Sequence, residues 1–348
     1  MTIMAVATRA RVSTATVSRV INGTARVNPE TAKRVHEAVK ALNFYPDSSA
    51  RTLGSGRSGL YGLIISDITN PYFPELVKAF ETVAAEYGKD VLIANTDYDP
   101  KRMEMCVARM LQRKVDGVAI MTSELDERLI LEFSHRQIPT VFMDTPTGMQ
   151  GVATVRVDYA AGVKEAMNHL ISLGHERIAF ISGPMGLNSA KQRAESFTQT
   201  LKKNGLMEGE GMMQEGNHRV DGGHEAMKRL LALEVRPTAL LCSNDLTAIG
   251  AMGAIHEAGL RIPEDISIVG FDGIELSGYT QPALTTLHVP RSELAATAFR
   301  ALLREREPVP GKPASKLEHV IQPRLLVRRS TAEAPDGGVT GEKARRRQ

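Results

Sequence analysis

Cysteine is scarce in this chain, with two residues, Cys106 and Cys242, among 348. They lie far apart in apolar stretches, so we expect buried thiols rather than a disulfide, as in a cytoplasmic protein. A run of about 18 apolar residues is missing, which excludes a membrane-spanning helix and predicts no membrane partner. The N-terminus carries no apolar signal core, so we do not expect secretion.

Motifs that carry catalysis are also missing. No His-Glu pair is followed by the second histidine of a His-Glu-x-x-His zinc site. The chain has neither a Gly-x-x-x-x-Gly-Lys phosphate loop nor a Gly-x-Ser-x-Gly nucleophile elbow. Its nine histidines are dispersed. We therefore expect no enzyme activity, no catalytic or metal-binding residues and no cofactor.

Positive charge is concentrated near the N-terminus, although the whole chain has a formal net charge of only +3. Residues 1–60 hold nine lysines and arginines against three acidic residues, and the remainder is slightly acidic. Such a basic segment is typical of a surface that meets phosphates. The length of 348 residues and the hydrophobic content of 42% predict two or three domains with a real core.

Residues 1–46 predict three short helices with a tight turn between the first two. The spacing of apolar residues predicts the first helix. Ser13 can cap the second through its hydroxyl, and Gly23 can end it. Asn28 and Pro29 are typical of the start of a third helix. This pattern predicts a helix-turn-helix DNA-binding domain; the alternative is a small helical domain whose polar face only meets water.

The second helix of such a unit enters the major groove with its N-terminal residues at the base edges. Arginine can donate two hydrogen bonds to guanine, and alanine or a threonine methyl can contact the thymine methyl. We therefore expect Thr14, Ala15 and Arg19 to contact bases. The remaining polar side chains of this segment suit phosphates, which position the protein without specifying the sequence: Ser13, Thr16, Ser18 and Asn22.

Residues 47–59 are predicted to form a hinge and linker. Leu53 has no apolar partner at helical spacing, and a lone exposed leucine usually has no function. Beside a DNA-binding domain, however, it can be a wedge that enters between base steps from the minor groove. The segment Gly54–Gly59 matches Gly-x-Gly-x-x-Gly, but it precedes a strand and opens no helix. It therefore indicates a flexible linker rather than a dinucleotide loop.

Between residues 60 and 330, apolar strands alternate with amphipathic helices, which predicts parallel sheets with helices on both faces. The strands are too many for one compact sheet, so two similar lobes are expected. The predicted strands are Gly62–Ser66, Asp90–Asn95, Gly117–Met121, Thr140–Met143, Arg177–Ser182, Thr238–Ser243, Ile266–Phe271 and Leu284–His288. Residues 331–348, rich in glycine and charge, predict a disordered tail.

Ligands of open parallel sheets bind beyond the carboxyl ends of the strands. Carboxylates, amides and an arginine follow the predicted strands there, beside aromatic residues, a set that suits a polyhydroxylated ring. Structural alternatives remain open. Asn244 and Asp245 could simply cap the next helix, and Tyr72 and Phe73 could form a hydrophobic staple.

The chain resembles the LacI/GalR family of bacterial transcription regulators over about residues 2–330. The segments that carry the resemblance are Ser13–Asn22, Pro46 with Ala50, Arg51 and Leu53, Asp67–Phe73, Lys114–Gly117, Leu173–Ile178, Ser243–Asp245, Val269–Asp272 and Pro282–Thr286. The chain departs from the family at Met4-Ala5, where Lys-Asp is usual, and at Arg11, a turn position that often holds glycine or asparagine.

The resemblance implies the fold: a small all-α helix-turn-helix head joined to an α/β body of two similar, doubly wound parallel-sheet lobes like those of periplasmic binding proteins. It places one lobe at about residues 60–158 and 289–320, and the other at about 159–288 and 321–330. It implies that the segment around Leu53 becomes a hinge helix on DNA, with Ala50 and Leu53 in the minor groove.

The family's effectors are mostly sugars, with purines in one branch. The positions of this chain that match the family's effector pocket are Tyr72, Phe73, Ser189, Arg193, His218, Asn244 and Asp272. We therefore expect a transcription regulator, more specifically a repressor, controlled by a sugar or sugar derivative. One head reads only a half-site, so a homodimer on a palindromic operator is expected. The alternative is a solute-binding protein of the periplasmic type without a regulatory role.

Overall fold

A computed structural model of the protein describes residues 2–23, 25–45, 57–122, 127–143, 152–206, 209–306 and 318–335. The chain divides into two compact units, a head that ends at Gly59 and a body that begins at Leu60. The predicted hinge residues Ala50 and Leu53, and the tail from residue 336 onward, lie outside the described residues.

The head contains three helices: α1 (Ile3–Ala10), α2 (Thr14–Asn22) and α3 (Pro29–Ala41). Their apolar faces meet in a small core of Val6, Ala7, Ala10, Val17, Val35 and Ala38. The predicted ends are confirmed, because Ser13 caps α2, Gly23 ends it at a φ of 63°, and Asn28 caps α3. Arg11 adopts a φ of 54° after α1, a left-handed conformation that is uncommon for a residue other than glycine.

The first sheet of the body is entirely parallel, with the strand order β11-β5-β4-β3-β1-β2. Its strands are β1 (Leu60–Ile65), β2 (Asp90–Asn95), β3 (Gly117–Met121), β4 (Thr140–Met143), β5 (Ala153–Val157) and β11 (Glu318–Ile321). The helices of this lobe are α4 (Tyr72–Glu86), α5 (Pro100–Gln112), α6 (Glu127–His135) and α11 (Arg291–Arg306).

The second sheet has the order β12-β10-β9-β8-β6-β7 and is parallel except for β12, which runs antiparallel to β10. Its strands are β6 (Ile178–Ser182), β7 (Met213–Glu215), β8 (Ala239–Cys242), β9 (Ser267–Asp272), β10 (Thr285–His288) and β12 (Arg324–Leu326). The helices are α7 (Tyr159–Ser172), α8 (Asn188–Lys203), α9 (Val220–Leu231) and α10 (Asp245–Glu257).

Within the described residues the chain passes three times between the two sheets. The crossings follow β5, β10 and β11, at Asp158, Val289–Pro290 and Gln322–Pro323. The two lobes share one apolar cluster, in which Tyr72 and Phe73 of the first lobe join Phe271 and Leu287 of the second. The predicted class, two parallel-sheet α/β lobes with a helical head, is thus confirmed.

Several details differ from the sequence prediction. Strands β5, β7, β11 and β12 were not predicted. The body also extends beyond residue 330, because the amides of Ala332 and Ala334 donate hydrogen bonds to the Ser267 hydroxyl and the Leu173 carbonyl. Residues 331–335 are therefore not part of a disordered tail. No helix in the described part of the chain combines the length and the apolar character needed to cross a bilayer.

Candidate functional site

The head presents a polar helical face. Thr14, Ala15 and Arg19 of α2 are exposed, whereas Val17 on the opposite face is fully buried. Of the predicted phosphate-contacting residues, Ser13 and Asn22 are exposed, and Thr16 and Ser18 are half-buried. The Ser13 hydroxyl accepts a hydrogen bond from the Thr16 amide at 3.1 Å, so Ser13 also has a structural role as the cap.

The body contains a cavity between the carboxyl ends of its two sheets, with about 530 Å³ of free space including that open to solvent. All seven residues predicted to bind an effector line it, two from the first lobe and five from the second: Tyr72, Phe73, Ser189, Arg193, His218, Asn244 and Asp272. Tyr72 and Phe73 meet edge to face, with 5.4 Å between their ring centroids.

Arg193 is 5% exposed, and its guanidinium carbon lies 4.0 Å above the ring of Tyr159 and 4.6 Å from the ring centroid of Phe271. Among the described residues its Nε atom has no hydrogen-bond partner. A buried guanidinium is normally satisfied by several acceptors. Arg193 is therefore oriented by aromatic rings and retains hydrogen-bonding capacity for a ligand.

His218 lies opposite Gly183, and a Cβ atom at Gly183 would come within 1.8 Å of the His218 Nε2 atom. Burial, together with the positive charge of Arg193, lowers the pKa of His218 to about 3. The imidazole is therefore neutral at physiological pH, and within the described part of the chain its Nε2 atom has no hydrogen-bond partner. Arg193 and His218 thus bring two unsatisfied nitrogens to one cavity.

Asn244 lines the cavity and also has the capping role that the sequence left open. Its side-chain oxygen caps α10 by accepting from Thr247, and its amide nitrogen donates to the His218 carbonyl at 2.9 Å. Asp245 is not a lining residue. Its carboxylate is fully buried and accepts from the Ile274 amide at 2.8 Å and from the Thr286 hydroxyl. Burial raises the pKa of Asp245 to about 7, against the opposing effect of these hydrogen bonds.

Two sets of ion pairs join the lobes on either side of the cavity. In one, Arg219 of the second lobe contacts Asp67 at 3.2 Å and Asp97 at 2.9 Å, both after strands of the first lobe. In the other, Arg291 and Glu75 of the first lobe contact each other at 2.7 Å and reach the loop that follows β9.

The sequence prediction missed part of the cavity lining. Tyr159, Tyr98, Asn70 and Thr122 also line the cavity but were not predicted to bind an effector. Tyr159 follows β5, a strand that was not predicted, so its position at a strand end could not be inferred. Tyr98 lies in a turn at a φ of 56°, which nothing in the local sequence indicates.

The comparisons with known proteins match both units. The profile of bacterial regulatory proteins of the lacI family matches residues 2–47, and that of a periplasmic binding protein-like domain matches residues 167–331. The repressor PurR of Mannheimia succiniciproducens is 36% identical over 94% of this chain and 98% of its own. The ribose operon repressor of Halalkalibacterium halodurans is 37% identical over 99% of both chains.

Solved structures of transcription regulators are also similar to this chain. The lac repressor dimer bound to operator and the anti-inducer ONPF superposes with a TM-score of 0.82, at 28% identity, covering 95% of this chain and 99% of that one. The complex of the transcriptional regulator CelR with cellobiose has a TM-score of 0.70, at 26% identity, with the same coverage.

These similarities extend over the head as well as the body. The alternative of a solute-binding protein without a regulatory role accounts for the body but leaves the head unexplained. The protein is a DNA-binding transcription regulator that responds to a small molecule, and it is not an enzyme. With 36–37% identity to curated repressors over nearly its full length, the chain belongs to the lacI family of bacterial regulatory proteins.

Proposed function

We propose that the protein is a repressor whose helix α2 reads a palindromic operator, with Thr14, Ala15 and Arg19 at the bases and Ser13, Thr16, Ser18 and Asn22 at the phosphates. The observation that carries this proposal is the exposed polar face of α2 on a basic head that matches the lacI family profile. Ala50 and Leu53, outside the described residues, are proposed to contact the minor groove.

The proposed effector is a sugar or sugar derivative bound by the seven cavity residues named above. A hydroxyl group both donates and accepts, which suits a site that offers the Arg193 donor and the Asp272 carboxylate together. The edge-to-face pair of Tyr72 and Phe73 provides apolar surface for the face of a ring. The ribose operon repressor and the CelR–cellobiose complex support this class of ligand.

A homodimer is proposed because two heads are needed for two half-sites, and because the lac repressor neighbour is a dimer on its operator. Leu276 and Tyr279 of the body are 49% and 75% exposed, and they offer apolar surface to a second copy. Effector binding would then shift the population between two lobe arrangements and change the spacing of the heads. The protein is proposed to act in the cytoplasm, where its operator is accessible.

The proposed domain organisation is a DNA-binding head at residues 1–46, a hinge and linker at 47–59, and a two-lobed body from residue 60. It is supported by the boundary between compact units at Gly59–Leu60 and by the membership of the two sheets.

The test begins with selection of duplexes from a random pool by the purified full-length protein, followed by band-shift titrations of the selected sequence. A palindromic consensus bound with two protomers is expected. A protein that shows no preference among duplexes at any salt concentration contradicts the proposal, and the solute-binding alternative then stands.

The effector is sought by thermal shift with D-ribose, other aldoses, disaccharides, adenine, guanine and hypoxanthine. A bound compound raises the unfolding temperature by mass action. A sugar should do so and should also change operator affinity. A response to nucleobases alone would overturn the sugar assignment while leaving the regulator intact.

A further inference from the structure

The end of β9, at Asp272, and the loop that starts at Gly273 have an unusual backbone. Asp272 adopts a φ of 106°, and Gly273 follows at a φ of 65°. A non-glycine residue at such an angle is strained, and it persists only where its surroundings impose the conformation. A Cβ atom at Gly273 would lie 2.7 Å from the Cα of His288, so the loop passes very close to β10.

Two side chains of the first lobe hold this loop of the second. The Arg291 guanidinium donates from Nη1 to the Asp272 carbonyl at 2.6 Å and from Nη2 to the Gly273 carbonyl at 2.9 Å. Glu75 accepts from the Glu275 amide at 3.0 Å through Oε1, and its Oε2 lies 2.7 Å from Arg291. The Arg291 side chain is 10% exposed, so this pair is largely shielded from water.

The first residues of α4 connect these contacts to the opposite wall of the cavity. Glu75 lies one turn after Tyr72, which also lines the cavity. The Arg291 guanidinium carbon is 5.6 Å from the Tyr72 ring centroid. One ion pair therefore touches the strained loop, the start of α4 and the start of α11.

We propose that Glu75 and Arg291 are positioning residues, which hold the Asp272–Gly273 loop in the conformation that directs the Asp272 side chain into the cavity. The inference rests on the proposed role of Asp272 in effector binding. Through the same contacts, any displacement of this loop by an effector is passed to α4 and α11 of the first lobe. The pair thus connects the second lobe's part of the cavity to the lobe that follows the linker in the chain.

The first test measures hydrogen–deuterium exchange of the amides of residues 273–276 in the ligand-free, full-length protein. Glu75→Ala should speed exchange there by about tenfold without a comparable change in the central strands. Glu75→Gln, which keeps an acceptor but loses the charge, should have a smaller effect. Arg291→Lys should also be intermediate, because one ammonium cannot replace two guanidinium donors fixed on two carbonyls.

Matched controls come from the same helix as Arg291. Glu293→Gln and Arg300→Ala change exposed charges of α11 and should leave exchange at 273–276 unchanged. Unchanged exchange in both Glu75 variants and in Arg291→Lys would overturn the proposal.

The same substitution made in an Asp272→Gly protein distinguishes a positioning role of the ion pair from a general structural role. Glycine adopts positive φ without strain, so Asp272→Gly removes the need for the ion pair to hold the loop. In that background Glu75→Ala should speed exchange much less than in the wild type, a non-additivity that reports coupling. If Glu75→Ala speeds exchange equally in the wild type and in the Asp272→Gly protein, the ion pair does not position Asp272 and the inference is rejected. Both measurements are made without ligand, so they fail or succeed independently of the operator and effector tests.

Discussion

Arg193 brings a permanent positive charge to a position where only 5% of the residue is exposed. Cation–π contacts with Tyr159 and Phe271 offset part of the desolvation cost, but a buried charge that has no ion-pair partner within the described part of the chain still lowers stability. A side chain retained under these conditions is typical of a binding site, in which function and stability oppose each other.

Arg193→Met is therefore expected to have opposite effects on stability and on function. It should raise the free energy of unfolding by about 1 kcal/mol, because a flexible apolar side chain replaces a buried charge. It should also abolish the thermal shift produced by the effector. The exposed Lys191 of the same helix provides the control, since Lys191→Met should change neither quantity. A less stable Arg193→Met protein in urea titrations would contradict this account.

Asp245 is another buried ionisable residue, and its contribution to stability depends on pH. Its folded-state pKa is raised from 3.8 to about 7, so the folded protein binds the proton more tightly than the unfolded chain. Its contribution to stability is then fully present below pH 3.8 and is lost as the pH rises through 7.

Asp245→Asn should remove this dependence and keep the shape of the site. The amide can accept from Ile274 and donate to the Thr286 hydroxyl. The difference in unfolding free energy between the wild type and the variant should therefore move in the variant's favour from pH 4 to pH 7. A constant difference over that range would refute the assignment. Buried histidines with lowered pKa values, such as His175, cancel in this comparison.

The candidate site was predictable where each residue follows a recognisable strand. Arg193, Asn244 and Asp272 come after central strands, and the structure places all three around one cavity. Glu75 and Arg291 could not be found in this way. Glu75 contacts Glu275 and Arg291, both about 200 positions away in the chain, and local sequence patterns do not encode such contacts.

At the scale of the element, α2, the proposed recognition helix, depends on its first turn. The Ser13 hydroxyl satisfies the Thr16 amide, one of the four amides that a helix leaves unpaired at its start. Ser13 is also exposed beside the proposed base-contacting residues, so capping and phosphate contact fall on one hydroxyl. Substitutions can separate these roles.

Ser13→Ala should destabilise α2 by about 1 kcal/mol and weaken DNA binding. Ser13→Asp should preserve the cap but place a negative charge near the phosphates, so α2 amides stay protected from exchange while operator affinity falls. Asn28→Asp adds the same charge at the cap of α3 and serves as the control, with a smaller loss expected. If Ser13→Asp binds the operator with wild-type affinity, Ser13 caps the helix but does not contact a phosphate.

Some strands of the two sheets could be predicted from the sequence and others could not. Strand β8 is fully buried, β1 is buried except for Leu60, and the continuous apolar runs of both were recognised. The missed strands are short or lie near the sheet edges. β7 has three residues that are not fully buried, and β12 has three that are exposed or half-buried. Their pairing depends on the neighbouring strand rather than on their own composition.

At the scale of the whole molecule, the two lobes of the body are joined by the Arg219 contacts on one side of the cavity and by the Glu75–Arg291 pair on the other. The Asp67 carboxylate is 3% exposed, so it depends on Arg219 for compensation of its charge. Loss of Arg219 leaves this carboxylate buried against the partner lobe and favours arrangements in which the lobes separate.

Arg219→Ala should therefore broaden the distribution of distances between the lobes. Because Cys106 and Cys242 are buried, spin labels can be attached selectively to Glu104→Cys and Lys228→Cys and the distance measured by electron resonance. Arg229→Ala, which breaks contacts within the second lobe only, is the matched control. Identical distributions in all three proteins would show that Arg219 does not restrain the lobes.

The three crossings between the sheets also determine when each part of the protein can be completed during synthesis. The head is complete once α3 has left the ribosome, whereas the first sheet waits for β11 at Glu318–Ile321. Domains fold as they emerge, from the N-terminus onward. A nascent chain therefore has a complete DNA-binding head well before its two-lobed body is complete. Premature termination of synthesis is expected to yield a head without the body that regulates it.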